Sequence, residues 1–304
     1  MEMKKIIVLG SCNTDMVIQA AHLPVPGETI IGGEFMMTPG GKGANQAVAA
    51  SRLGGNVTFI TKIGNDIFGR QSLRLYQDEN INTDYVFLDT NNPSGVALIT
   101  VDNNAENSIV VASGANKTLS KDEVEKCRNE IENADILLMQ LEIPLETVEY
   151  AAEMANKAGV KIILNPAPAS ILPDSLFKNI DVIIPNITEA ELISGVRVNN
   201  WESAKVAADI ISQKGVDTVI ITLGSLGALL KVDGVCYEFP VEEKVKAVDT
   251  TAAGDTFCGA LSVALSEDMS FANAIRFANK AAGICVTKMG AQISIPYRKD
   301  VVSF

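Results

Sequence analysis

The chain has 304 residues and a formal net charge of -12, with five cysteines and a single histidine. That length can bury a full core, and the acidic balance lacks the clustered basic surface that a phosphate backbone requires, so nucleic acid is not an expected partner. The cysteines (Cys12, Cys127, Cys236, Cys258, Cys285) lie far apart with no C-x-x-C pair, which argues against a zinc cluster or disulfide framework and for reduced thiols in a cytoplasmic protein.

The N-terminal Met-Glu-Met-Lys-Lys precedes the apolar run Ile6-Ile7-Val8-Leu9-Gly10, which soon meets Asn13 and Asp15. It is too short for a signal peptide or membrane span and reads as a first buried strand; no later stretch is long and apolar enough to cross a bilayer. Asn13 and Asp15 alternate along extended chain, so both face one side, where an amide and a carboxylate can bond several hydroxyls. Such polar groups at strand ends are also ordinary turn formers.

Residues 16–37 carry short extended runs broken by Pro24, Pro26, Gly27, Gly32 and Gly33, and residues 94–111 do the same around the polar turn Asp102-Asn103-Asn104. The two stretches read as hairpins forming one small β layer that closes over a site and pairs with a second subunit. Between them lies Pro39-Gly40-Gly41-Lys42-Gly43-Ala44-Asn45-Gln46, leading into helical Ala47-Val48-Ala49-Ala50. It looks like a phosphate loop but fails the Walker pattern, since Gly43 follows Lys42, and it is not G-x-G-x-x-G. Lys42 and Asn45 could bond ligand hydroxyls there, or the loop could be a tight turn with a solvated lysine.

The second half alternates apolar runs (Ile136–Met139, 162–164, 182–184, 219–221) with helix-like segments at 145–158 and 201–214, and Gly159 and Gly215 stand where helices would end. This is the pattern of βαβ units around a parallel sheet, whose ligands gather at the carboxyl ends of the strands. Gln140-Leu141-Glu142, Asn165-Pro166, Pro185-Asn186 and Thr222-Leu223-Gly224 fall at those ends, and Glu142 is a third candidate for hydroxyl contact. Asn186-Ile187-Thr188-Glu189 reads first as a helix start capped by Thr188, and second as an organiser of hydrated Mg²⁺. His22 reads as structural, and the cysteines as small core residues.

The sharpest signal is Asp249-Thr250-Thr251-Ala252-Ala253-Gly254-Asp255-Thr256-Phe257. Small residues where a loop enters a helix let a phosphate reach free backbone N–H groups, and the helix dipole favours the anion. Asp255 then sits beside it in the first turn.

Together, Gly10–Asp15, Gly40–Gln46, Asn186–Glu189 and Asp249–Asp255 resemble the ribokinase family of carbohydrate kinases, in the family's order and over nearly the whole chain; residues 165–169 and 288–292 add to the likeness. The resemblance implies an α/β fold: a central, mostly parallel sheet flanked by helices, built from 1–15, 38–93 and 112–304, with a β lid from 16–37 and 94–111 that also forms a homodimer interface. It implies ATP-dependent phosphorylation of D-ribose on O5, with a kinase for 2-deoxyribose or another pentose, or a non-catalytic sugar-binding protein, as alternatives. It puts Asn13, Asp15, Gly41, Lys42, Asn45 and Glu142 on the sugar, Asp255 as base, and Ala252, Ala253 and Gly254 on the anion hole. Asn186, Thr222, Gly224, Ser225, Gly227 and Asn279 fall on nucleotide contacts, and Glu189 on the water network of Mg²⁺. A monovalent cation, K⁺, would be held by Asp249, Thr251, Cys285, Lys288, Gly290 and Ser294, several through backbone carbonyls.

Overall fold

A computed structural model describes residues 3–103 and 106–303; Met1 and Glu2 of the basic start, and Asn104 of the expected polar turn, lie outside the described residues. The chain opens with β1 (Lys5–Leu9), breaks at residues 10–12 and continues as β2 (Asn13–Gln19) and β3 (Phe35–Gly40). Next come helix Lys42–Arg52, β4 (Asn56–Gly64), β5 (Val86–Asp89), β6 (Gly95–Val101) and β7 (Asn107–Ala112). The second half supplies β8 (Ile136–Met139), β9 (Lys161–Leu164), β10 (Val182–Ile183), β11 (Thr218–Thr222), β12 (Gly227–Val232) and β13 (Val235–Pro240), and ends in helices Ala253–Ser266, Phe271–Cys285 and Arg298–Ser303.

Nine strands form one sheet in the order β13-β12-β11-β10-β9-β8-β1-β4-β5. It is parallel except for β12 and β13, which fold back as an antiparallel edge. The apolar runs become central strands because both faces are covered. Ile6 and Val8 point into one core, with helices Lys42–Arg52, Ala253–Ser266 and Phe271–Cys285. Ile7 and Leu9 point into the other, with helices Leu145–Ala158 and Trp201–Gln213. All four side chains are fully buried, and each such burial contributes about 1.5–3 kcal/mol. Helix Leu145–Ala158 ends on Gly159 at φ +78°, the left-handed cap the sequence suggests. Among the described residues no helix is long and apolar enough to cross a membrane.

The second sheet has the order β3-β2-β6-β7. Its two antiparallel pairs, β2 with β3 and β6 with β7, meet along a parallel seam between β2 and β6. Period-two alternation divides its faces. Asp15, Ala97 and Val111 are register partners on one side, as are Ile99 and Ile109. Met16, Met37, Leu98 and Val110 share the other, together with the paired Ile18 and Phe35.

Candidate functional site

Strand ends of the large sheet and the inner face of the small one enclose a cleft of about 370 Å³. Asn13, Asp15, Gly41, Lys42, Asn45 and Glu142 line it together with Asn186, Glu189, Thr222, Thr251, Ala252, Gly254 and Asp255. Ala97, Ile99, Ile109 and Val111 of the small sheet form an apolar roof over them.

The glycines of the 40–43 run answer to the protein's own chain. A Cβ on Gly40 would lie 2.1 Å from the Asp15 carboxylate; on Gly41, itself at φ +88°, it would lie 2.7 Å from the Asn13 nitrogen; on Gly43, 2.5 Å from the Ser11 nitrogen. The loop therefore clasps residues 11–15 and starts helix Lys42–Arg52, and of its glycines only Gly41 also lines the cleft. The Lys42 N–H donates to Glu142 Oε2 (3.0 Å), and the Ser11 hydroxyl donates to that same oxygen (2.5 Å). Glu142 thus anchors the helix start from β8's end, a favourable place for an anion.

Asn13 is fixed by Asn116, whose Nδ2 donates to Asn13 Oδ1 at 2.7 Å. That leaves the Asn13 amide nitrogen as donor to the cleft. No described residue donates a hydrogen bond to the buried Asp15 carboxyl, and burial, then the Glu142 and Asp255 carboxylates, push it up to about 7. Burial alone would pull Lys42 down, but Asp255, Glu142 and Glu189 outweigh it and hold the ammonium above its ordinary value. Buried acceptors without donors suit a ligand rich in hydroxyls.

At the opposite wall, helix Ala253–Ser266 begins on Ala252 in the left-handed region (φ +60°), and no side chain caps it. Asn200, Ser120 and Ser270 do cap their helices. The Ala253 N–H reaches the Thr250 carbonyl at 3.3 Å, while among the described residues the Gly254 and Asp255 N–H groups meet no acceptor and are left for a ligand. Gly254 has no positive φ and a Cβ built on it meets nothing within 4 Å; nothing in the protein demands a glycine there. One residue on, the Asp255 carboxylate accepts from Asn45 Nδ2 (2.9 Å) and Gln46 Nε2 (3.0 Å).

Asn186, not Thr188, caps the helix that follows β10. Its Oδ1 accepts from the Glu189 N–H at 2.9 Å, and Glu189 reaches back to the Asn186 N–H at 2.9 Å. Asn starts this helix because its side-chain oxygen sits on the residue whose backbone is still extended. Burial raises the Glu189 carboxyl, so a cation nearby would be favourable, and a carboxylate engaged on both oxygens suits contact to hydrated Mg²⁺ through water.

The remaining expected contacts lie outside the cleft's lining. Gly224 and Ser225 are exposed on a turn after β11, and Gly227 (φ +114°) must be small because Phe239 O would lie 2.1 Å from its Cβ. Asn279 donates to that same Phe239 oxygen at 3.3 Å and lines a separate groove with Pro240, Glu242, Arg276, Lys280 and Gly283. The positions expected for a monovalent cation converge by hydrogen bonds. Asp249 accepts from the Thr251 N–H (2.9 Å) and hydroxyl and from the Gly290 N–H (2.8 Å), while Cys285 Sγ meets Ser294 Oγ at 3.0 Å and the Lys288 N–H reaches the Cys285 carbonyl. Carboxylate, hydroxyl and carbonyl oxygens are the donors a hard cation takes. Among the described residues no cluster of three His, Cys, Asp or Glu side chains could hold a metal alone.

Asn116, which no motif contains, supports the site, as do Ser11 and Gln46 from within the motifs and Gln140 and Asn165 from the strand ends, none of them given a contact of its own by the sequence. His22 sits on the surface with Glu28, and four of the five free cysteines are buried.

The model of the pfkB family of carbohydrate kinases matches residues 3–298. The chain belongs to that family. Within the pfkB family it is similar to the ribokinase of Haemophilus influenzae, 47% identical over 99% of this chain and 98% of the relative. A deoxyribokinase of Salmonella typhi is 37% identical, over 96% and 95%. Among solved structures, that of the Arabidopsis thaliana ribokinase complexed with ribose and ATP superimposes with a TM-score of 0.94 at 33% identity, covering 100% of this chain and 98% of the other. A pfkB-family kinase transfers phosphate to a sugar hydroxyl, and this chain is a sugar kinase with the ribokinase fold.

Proposed function

We propose that the cleft transfers the γ-phosphoryl group of ATP to the 5-hydroxyl of D-ribose, with Asp255 as the base. The observation that carries this is local. A buried carboxylate, held by two side-chain amides, stands in the first turn of an uncapped helix beside a glycine open to the cleft. Phosphoryl transfer asks mainly for alignment and charge stabilisation, so a carboxylate that orients the hydroxyl is sufficient. The amides around Ala252, Ala253 and Gly254 would face the developing charge, those of Gly254 and Asp255 without giving up a bond to the protein. Asn13, Asp15, Gly41, Lys42, Asn45 and Glu142 would hold the sugar, and the apolar roof would exclude water that could otherwise accept the phosphate. Asn186, Thr222, Gly224, Ser225, Gly227 and Asn279 would contact ATP along a line from the cleft to the groove by Phe239.

Mg²⁺ would screen the phosphate charges, with Glu189 acting through its water shell. K⁺ at Asp249, Thr251, Cys285, Lys288, Gly290 and Ser294 would steady the loop that leads into the anion-binding helix. The lid of 16–37 and 94–111, set on the α/β body of 1–15, 38–93 and 112–304, would pair with a second copy: its outer face exposes Ile18, Phe35, Met37, Leu98 and Val110, a contiguous apolar surface of the kind that marks an interface. The free thiols suit the cytoplasm.

The test is Asp255→Asn. Turnover should fall on the order of 100-fold or more while ATP still binds; near-normal turnover would end the reading. A deoxyribose kinase is the second reading, because a deoxyribokinase is among the similar proteins. Comparing kcat/KM on ribose and deoxyribose decides between them, since a site built to bond a hydroxyl rejects the analogue lacking it.

A further inference from the structure

We propose that Gln46 is a positioning residue for phosphoryl transfer: its side-chain amide fixes the Asp255 carboxylate, and Gln140 and Asn165 in turn fix Gln46. The proposal rests on the reading of Asp255 as the base. Gln46 is fully buried and does not line the cleft, so it touches no substrate and can act only through Asp255.

The orientation of every amide in the chain of contacts is forced. An ionised carboxylate only accepts, so the Gln46 nitrogen must face it, and Nε2 donates to Asp255 Oδ1 at 3.0 Å. That same nitrogen gives its second hydrogen to Asn165 Oδ1 at 3.1 Å, which is free to accept because Asn165 Nδ2 is committed to the Ile184 carbonyl at 2.9 Å. The Gln46 oxygen then faces Gln140, whose Nε2 donates to it at 2.6 Å. Gln140 leaves its own Oε1 buried without a partner; its pose serves Gln46 rather than its own hydrogen bonding. A flip of any one amide would set acceptor against acceptor in a buried site.

Two helices must approach closely for this to work. Gly259, one turn after Asp255, lets helix Ala253–Ser266 lie against helix Lys42–Arg52: a Cβ there would stand 2.8 Å from the Gln46 carbonyl oxygen and 2.7 Å from the Ala49 Cβ. With Asn45 on Oδ2 and Gln46 on Oδ1, the carboxylate cannot rotate away from the acceptor hydroxyl. Hydrogen bonds to an ionised partner are the stronger class, which suits them to this task.

The experiment is a double-mutant cycle on the full chain with ribose and ATP, using Gln46→Met, Asp255→Asn and the pair. Gln46→Met is expected to lower kcat 10- to 100-fold, as a small misplacement of a reacting group does, with KM for both substrates within about threefold. In the Asp255→Asn background it should change kcat less than about twofold, because a residue acting through another loses its effect when that other is gone. Wild-type kcat for Gln46→Met beside an inactive Asp255→Asn would overturn the positioning role and leave the base reading standing. Equal losses in both backgrounds would overturn it too, since a merely structural defect is additive. Near-normal turnover of Asp255→Asn would overturn both. Should Gln46→Met fail to fold, Gln140→Met removes only the bond that orients Gln46; a several-fold fall in kcat that vanishes with Asp255→Asn supports the proposal, and an undiminished fall refutes it.

Discussion

Substituting alanine for Gly254 separates what the helix requires from what a transferring phosphate requires. The position is the second residue of helix Ala253–Ser266, its φ is not positive, and an added Cβ meets no protein atom within 4 Å. Glycine costs a helix about 0.5–1 kcal/mol relative to alanine, so folding should gain up to that amount. For a protein of this size that is a rise in Tm of roughly 1–3 °C. The methyl group would stand in the cleft where the phosphoryl group must meet the first-turn amides, and losing such a donor costs about 100- to 1,000-fold in kcat. Differential scanning fluorimetry and a coupled assay of ADP release read the two effects separately. A variant with unchanged turnover, or one whose Tm drops by several degrees, would refute the argument that only a ligand demands this glycine.

Three further outcomes follow from the same geometry. Asp15 sits at about 7 in the folded protein against an ordinary 3.8; a carboxyl raised by folding stabilises fully below its unfolded value, and that contribution is lost as pH rises through 7. Asp15→Asn should therefore stabilise the ligand-free protein by up to about 4 kcal/mol at pH 8 and by much less at pH 5, while raising the sugar KM; denaturant titrations at the two pH values check this, and an equal effect at both would contradict it. Ala252 holds φ +60° without being glycine, so Ala252→Gly should relieve about 1 kcal/mol of backbone strain and raise Tm, less the added freedom of the unfolded chain. Asp249→Ala removes the acceptor that joins Thr251 to Gly290, and activation by added KCl should shrink or disappear; an unchanged KCl titration would rule out the proposed cation site.

The large sheet was legible because a parallel strand covered on both faces must be apolar throughout: Ile136–Met139 is a strand to the residue, and helix Leu145–Ala158 ends at the glycine that can take a left-handed φ. The polar strand ends were legible for the same reason, since Asn13, Glu142 and Asn186 interrupt apolar runs that packing would otherwise continue. The reason for the Gly40–Gly43 run was not, because whether glycines clasp a neighbouring strand or a ligand depends on contacts to residues 11–15 that spacing does not encode. Asn116 was invisible: it reaches Cys12 and Asn13 across about a hundred residues of sequence. Thr188 looked like the helix cap because Ser, Thr and Asn are similarly good at it, and only the backbone turn at Asn186 decides. Gln46, Gln140 and Asn165 carry no periodic or charged signal; their meaning lies in mutual orientation, which exists only once three elements are brought together.

The most direct measurement of the central claim is the product itself. Incubated with ATP, Mg²⁺ and K⁺ against ribose, deoxyribose, fructose and adenosine, the protein should release ADP fastest with ribose, and ³¹P–¹³C coupling should put the new phosphate on the C5 oxygen. Phosphate on another ribose oxygen, or ADP release that no sugar stimulates, would contradict the account.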